Sequence, residues 1–228
     1  MLTIAEELLL LALKDDKGTV VFSASSTLNY GLAGAILAEL TLQERLELRD
    51  KKVEAISHGP TGDAVTDSVL QKVSESKRPK SVKRWVENLS FRMGHWRKEM
   101  LAGLVQKGIL EEQEQKILWV FTRNTYPTKE VAVENQIRKR VYASLFGDEQ
   151  PNARTAMLLS LIKACSLVNE VFPVKDQKEA KKKIDSIIKN NEYGKAVKAS
   201  IDAMQTAVIA ACAAAAASSA GSSGGGGS

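Results

Sequence analysis

The segment from Leu2 to Lys14 constrains the fold most, because it is apolar on nearly every side after Glu7. A helix that is apolar all round has to be buried against other elements. Thr3 followed three residues later by Glu6 has the spacing of a capping box, in which side chains and backbone bond each other at a helix start. The segment therefore predicts a helix deep inside a helical bundle.

A second strongly apolar segment runs from Met157 to Val171 and stops before Pro173, which cannot continue a helix. Helical spacing recurs over much of the remaining chain, whereas Thr19–Phe22 and Leu46–Val53 have the composition of short strands. The predicted fold class is therefore mainly α, with a buried pair of apolar helices, short strands and a projecting β-hairpin.

The chain has 228 residues, of which 44% are hydrophobic, so it can bury a substantial core. We expect a single globular helical domain over residues 1–217. Residues 218–228 are Ser, Ala and Gly, which supply no core-forming side chains, and they predict a flexible tail.

The predicted hairpin follows a helix that ends at Lys107-Gly108, and its charged turn is expected to hold three glutamates. Apolar residues alternate along its second strand, a pattern typical of core packing and also of a subunit interface. The three glutamates are Glu111, Glu112 and Glu114, and the alternating residues, our candidates for an oligomer contact, are Ile117, Trp119 and Phe121.

Catalytic motifs are missing from the sequence: it contains no GxSxG, SxxK, HExxH, Walker or GxGxxG pattern. His58 and His95 are far apart and lack the spacing of metal ligands. Cys165 has apolar neighbours and no basic group beside it to lower the pKa of its thiol. We therefore expect a binding protein with no catalytic residue, metal or cofactor.

The formal net charge of +5 favours anionic partners. The longest alanine-rich run, Ala203–Ala217, includes Gln205 and is too short and too weakly apolar to span a bilayer. Glu6 and Glu7, where a secretory signal would carry basic residues, argue against such a signal. We expect a cytoplasmic protein whose membrane contact is peripheral.

Several segments, in their order and spacing, resemble the Golgi phosphoprotein 3 family over nearly the whole chain. They are LTIAEELLLL from Leu2, GLAG from Gly31, PTGD from Pro60, SVKRWVENL from Ser81, LVQKGIL from Leu104, and Thr155–Phe172. The resemblance implies a helical domain with a projecting hairpin that takes part in self-association. It also implies a non-enzymatic peripheral membrane adaptor that binds phosphatidylinositol 4-phosphate in a basic pocket; the client protein cannot be named from the sequence.

The family's headgroup pocket is only partly present here. The family uses a Trp after the first strand, an Arg in a Gly-Leu-Arg-Gly turn, and two Arg residues one turn apart before the hairpin. The corresponding positions are Ser23 or Ala24, Ala33, Gly94 and Arg97, so one arginine remains. A phosphate held by one arginine is bound weakly, since a charge-assisted hydrogen bond contributes about 1.5 to 3 kcal/mol.

The resemblance and the basic clusters together give the candidate site. The residues expected to contact a lipid headgroup are Arg97, Arg92, Lys98 and Trp96, and those expected on a basic membrane face are Arg84 and Lys83.

Two other functions fit the same sequence. One is an oligomerising interaction module that does not bind lipid. The other is a winged-helix nucleic-acid binder, with the helix around Arg97 in the groove and the hairpin as wing. The glutamates of the hairpin would repel phosphate, so we expect no nucleic-acid partner.

Overall fold

The computed structural model describes residues 1–117, 121–148, 150–190 and 195–221. Helices dominate this part of the chain and confirm the mainly α fold class. The helices are α1 (Ile4–Leu11), α2 (Leu28–Leu42), α3 (Ala64–Ser74), α4 (Val82–Ser90), α5 (Met93–Gln106), α6 (Val131–Phe146), α7 (Ala153–Ala164), α8 (Val168–Val171), α9 (Gln177–Asn190) and α10 (Lys195–Gly221). The strands are β1 (Leu46–Arg49), β2 (Lys52–Ala55), β3 (Lys80–Ser81), β4 (Gln113–Ile117) and β5 (Phe121–Thr125).

The first helix, α1, is buried along its whole length, as its sequence predicts. The Thr3 hydroxyl accepts a hydrogen bond from the Glu6 backbone N–H at 3.2 Å, and the Thr3 N–H donates to the Glu6 carboxylate at 3.0 Å. The capping box is therefore confirmed, and it satisfies donors that the start of a buried helix would otherwise leave unpaired.

The centre of the bundle is α2, which packs against α1, α3, α4, α5, α7 and α10. Two glycines make this close packing possible: a Cβ on Gly31 would lie 2.2 Å from the Cys165 Sγ, and one on Gly34 would lie 2.0 Å from a Val208 methyl. The GLAG segment is thus inside a helix and not in a turn. The helices α1 and α7, which the sequence predicts to be the buried pair, both pack against a third buried helix, α2.

The second apolar segment is interrupted, so the expectation of one helix from Met157 to Val171 is wrong. Asn152 caps the start of α7 by accepting the Thr155 backbone N–H, and α7 ends at Ala164. Ser166 then takes a left-handed conformation with φ of 61°, which no α-helix continues through. The short helix α8 follows in a new direction.

The segment Leu46–Val53, predicted to be strand, belongs to a hairpin of two short strands. Asp50 and Lys51 both have positive φ, which is the geometry of a tight two-residue turn between β1 and β2, and β3 pairs with β2 on the other side. The predicted strand Thr19–Phe22 contributes a single bridge, between Val20 and Leu13, and the chain then enters a 3₁₀ turn.

The second hairpin lies further along the chain than its charges suggest. Glu114 is in the first strand, β4, and Glu111 and Glu112 precede that strand, so the expected acidic turn is wrong. Ile117 pairs with Phe121 on the opposite strand, and the two residues do not alternate along one strand as expected. Trp119 and the side chains of Ile117 and Phe121 lie outside the described residues.

Two boundaries also differ from the sequence expectation. The sequence predicts a helix from Thr128 to about Leu145. That helix begins at Val131, where the Glu130 side chain accepts the Ala132 backbone N–H. The last helix, α10, continues to Gly221, so the first four residues assigned to the tail are helical. Residues 222–228 lie outside the described part of the chain.

A buried charge network ties the start of α1 to its neighbours. Its three carboxylates are at most 5% exposed, and each is paired with a cation from a different part of the chain. One oxygen of Glu39 also accepts the Ile4 backbone N–H at 2.8 Å. The pairs are Glu6 with Lys107 at 2.6 Å, Glu7 with Arg140 at 2.6 Å, and Glu39 with Arg154 at 2.8 Å.

Replacing Arg154 with leucine is expected to lower the free energy of unfolding by about 3 to 5 kcal/mol, because it leaves the Glu39 carboxylate buried without its cation. Denaturant unfolding followed by circular dichroism measures this change. The matched control is Arg49→Leu, because the Arg49 side chain is 66% exposed in its pair with Glu47 and exposed pairs contribute at most about 1 kcal/mol. Equal losses in the two variants would contradict the network's importance.

Candidate functional site

The helix α4 separates apolar and basic side chains onto two faces. Val82, Trp85, Val86 and Leu89 are buried, whereas Lys83 and Arg84 are exposed. Ser81 starts the helix by accepting the Arg84 backbone N–H at 3.4 Å. The two residues expected on a membrane face therefore lie on the outside of α4, where Arg84 also pairs with Glu87 at 3.5 Å.

An exposed aromatic residue marks the corner between α4 and α5. Phe91 is 85% exposed, and Arg92, the next residue, is the exposed N-cap of α5 and makes no side-chain capping bond. A phenylalanine ring left this far in water gains nothing from the hydrophobic effect in the isolated chain. It is therefore available to a partner or to a lipid surface.

A cleft with two lobes lies between α3 and this corner, and Phe91 and Arg92 line both lobes. The larger lobe has a cavity volume of about 660 Å³ and extends along α5 past Gly94 and His95. The smaller lobe has a cavity volume of about 390 Å³ and extends towards α4 and β3. The exposed ring thus stands on the ridge between the two lobes.

Cations surround the ridge. Lys72 from α3, Lys80 from β3 and Arg92 all line the smaller lobe. The Lys80 Nζ lies 4.4 Å from the Trp85 ring centroid, and the Lys72 Nζ lies 5.9 Å from that of Trp96. Within the described residues, none of these three cations forms an ion pair with a carboxylate. The smaller lobe therefore carries three basic residues and no acidic one.

The four predicted headgroup residues are divided between different surroundings. Arg92 and Trp96 line the cleft, and Trp96, at 4% exposure, supplies part of its floor. Arg97 is half-buried and its guanidinium donates to the Asn29 side chain of α2 at 3.4 Å. Lys98 is exposed and is not among the residues that line the cleft. The structure therefore brings together only two of the four residues within one cavity.

The remaining family pocket positions offer little to a ligand. Ala33 and Ala24 are fully buried, and the exposed Ser23 hydroxyl donates to Glu170. Gly94 is exposed, and a Cβ built there would meet nothing within 4 Å. An arginine at position 94 would have room, whereas one at position 33 would put a cation into the core.

Lys72 and Phe91 belong to this site and were missed in the sequence. Lys72 is one lysine on an amphipathic helix, and Phe91 is one aromatic residue between two helices, so neither carries a local signal of function. The position of Lys72 beside Arg92 depends on how α3 packs against α5.

The rest of the described chain shows no other chemistry of this kind. In those residues there is no cluster of three metal-ligating side chains, and no helix is both long enough and apolar enough to cross a bilayer. His95 is 76% exposed at its side chain and lies 3.1 Å from Glu99 on the helix surface. A hydrogen bond with Cys212, together with burial, raises the pKa of the Cys165 thiol well above its usual range.

The fold and the site define a mainly helical binding domain with a basic, aromatic-rimmed face. The family model described as Golgi phosphoprotein 3 (GPP34) matches residues 4–204, and the chain belongs to this family. The chain is also 30% identical over 165 residues to Vacuolar protein sorting-associated protein 74 of Schizosaccharomyces pombe. That match covers 63% of this chain and 48% of the relative, so the chain spans about half the length of the relative.

The buried thiols are expected to be inert in the folded protein. Only a thiolate reacts with a disulfide reagent, so burial of both thiols, together with the raised pKa of Cys165, should slow their labelling by at least about a hundredfold relative to the unfolded chain. Reaction with 5,5′-dithiobis(2-nitrobenzoate) at pH 8, with and without denaturant, measures both rates. Rapid labelling of the native protein would contradict this account.

Proposed function

We propose that the protein is a peripheral membrane adaptor that binds anionic lipid surfaces through the α4–α5 face and recruits partner proteins, without catalysis. The observation that carries this proposal is the exposed Phe91 ring on a ridge bordered by three cations. Aromatic side chains favour the membrane interface, and basic residues beside them are attracted to anionic headgroups. Membership of the Golgi phosphoprotein 3 family supports a place on the cytoplasmic side of the Golgi or of a related membrane.

Helical spacing supports a common face for the basic residues of α4 and α5. Residues four apart lie on the same side of a helix, so Arg84 is on the side of Asn88, and Lys98 is on the side of Gly94. Asn88 and Gly94 both line the cleft. The basic face, defined as Arg84, Arg92 and Lys98 together with Lys72 and Lys80, thus surrounds the cleft and Phe91.

Charge is sufficient for reversible attachment. Each lysine or arginine near an anionic surface contributes about 1 kcal/mol, and this attraction weakens as salt screens it. Several such contacts and one inserted ring give a membrane affinity that depends on lipid composition. Because only one of the four family pocket positions, Arg97, keeps the family's residue, we propose little selectivity for phosphatidylinositol 4-phosphate.

The geometry of α5 favours this function over groove binding to nucleic acid. Met100, Leu101 and Leu104 of α5 are buried in the core, and Glu99 lies on the exposed side. Glu114 lies in the strand that would form the wing.

We also propose self-association through the β4–β5 hairpin. Sedimentation of a Trp119→Ser variant against the unmodified chain would test it.

Charge reversal at Arg92 is expected to weaken binding to vesicles containing phosphatidylglycerol about thirtyfold, since it removes one attractive charge and adds one repulsive charge. Vesicle co-sedimentation at several salt concentrations measures the effect. The matched control is Lys181→Glu, an exposed lysine on α9, which packs against α6, α7 and α8. Salt-independent binding, or equal losses in both variants, would rule out the α4–α5 face.

Gly94→Arg is expected to increase affinity for vesicles containing phosphatidylinositol 4-phosphate about tenfold, since it places a second arginine one turn before Arg97 in open space. The comparison is with vesicles of equal charge made with phosphatidylglycerol, which should gain less. Gly94→Ala is the control, because it shares the gain of about 1 kcal/mol in helix stability but adds no charge. Equal gains for both lipids would show that position 94 does not contact the headgroup.

A further inference from the structure

The smaller lobe of the cleft differs from the larger one in charge. Lys72, Lys80 and Arg92 line it, and no acidic residue is among the described residues around it. The larger lobe includes Glu75 and Glu99, but these carboxylates already bond to Gln71 and His95. Three basic residues line the smaller lobe without a carboxylate, so it is electrostatically complementary to an anion.

A buried donor without an acceptor belongs to a residue that lines the same lobe. Trp85 lines it and is 4% exposed, and its indole Nε1 is buried with no hydrogen-bond partner within the described structure. Buried polar groups are nearly always paired, and an unpaired one costs stability unless something else compensates. An oxygen of a bound anion would supply the missing acceptor.

The start of α5 adds to the positive potential. Arg92 is the N-cap of this 14-residue helix and makes no side-chain bond to its first turn. Backbone N–H groups at a helix start carry a partial positive charge and bind anions when other donors are close. Here the other donors are Lys72, Lys80 and the Trp85 indole.

We propose that the smaller lobe binds a phosphomonoester group. A phosphomonoester carries up to two negative charges and three terminal oxygens, which match three cations and an indole N–H better than a single carboxylate does. The cavity of about 390 Å³ has room for the phosphate and the carbon skeleton next to it. This site is separate from Arg97, whose guanidinium faces Asn29 of α2.

This phosphate site deepens the proposed membrane function but can fail independently of it. A lipid such as phosphatidate would bring the phosphomonoester into the lobe while Phe91 enters the bilayer beside it. A soluble phosphate ester would use the same contacts without a membrane. The two sources are distinguished by the probe.

The test uses the full chain with three probes: soluble glycerol 3-phosphate, vesicles containing phosphatidate, and vesicles of equal surface charge containing phosphatidylglycerol, a phosphodiester. Tryptophan fluorescence and calorimetry measure binding. We expect Lys72→Gln, Lys80→Gln and Arg92→Gln each to weaken phosphomonoester binding about tenfold. Lys181→Gln, with the same charge change on α9 and away from the cleft, should leave glycerol 3-phosphate binding unchanged.

Trp85→Phe separates binding from folding. It removes the unpaired indole N–H and keeps an aromatic ring in the core, so the variant should remain folded by circular dichroism, whereas phosphomonoester affinity should fall severalfold. If both phosphatidate and glycerol 3-phosphate bind, the lobe accepts lipid and soluble phosphomonoesters. If phosphatidate alone binds, the lobe accepts the phosphomonoester of a lipid. If phosphatidate is not preferred over phosphatidylglycerol and glycerol 3-phosphate does not bind, the phosphate site is overturned while membrane attachment stands.

Discussion

The buried charge network at the start of α1 is the constraint on which the arrangement of the other helices depends. A wholly buried helix cannot keep ionised carboxylates in its first turn unless each meets a cation. Those cations come from the end of α5, from α6 and from α7, and the Glu39 carboxylate of α2 bonds both Arg154 and the α1 backbone. Because pairing fails if any helix shifts, the network fixes the orientation of four helices around α1.

The same network positions the candidate site. Lys107, directly after α5, is held by Glu6, and Arg97 near the start of α5 is bonded to Asn29 of α2. With both ends fixed, α5 presents its N-cap to α3 at a constant distance, and the cleft opens between them. The core uses its cations to neutralise buried carboxylates, whereas Lys72, Lys80 and Arg92 at the cleft form no ion pair within the described residues. This unequal distribution of charge is what makes the α4–α5 face attractive to anions.

The departures from the family pocket have a structural consequence. Position 33 lies in the fully buried middle of α2, where alanine allows close packing against neighbouring helices. Position 94 is a glycine with open space before it. The family's lipid chemistry is therefore reduced to Arg97 on one side of α5, while unpaired cations and the exposed Phe91 gather on the other. The proposed anion recognition therefore rests on that second side.

The sequence by itself determined the elements whose signals are local. Capping at Thr3 and the burial of α1 depend on residues close together in the chain, and both were predicted. Tertiary structure alone decided the register of the β4–β5 hairpin, the break at Ser166 and the cleft. Lys72 and Arg92 are twenty residues apart and meet only because α3 packs against α5. Periodicity and capping specify a helix, but the packing of different helices specifies which side chains share a cavity.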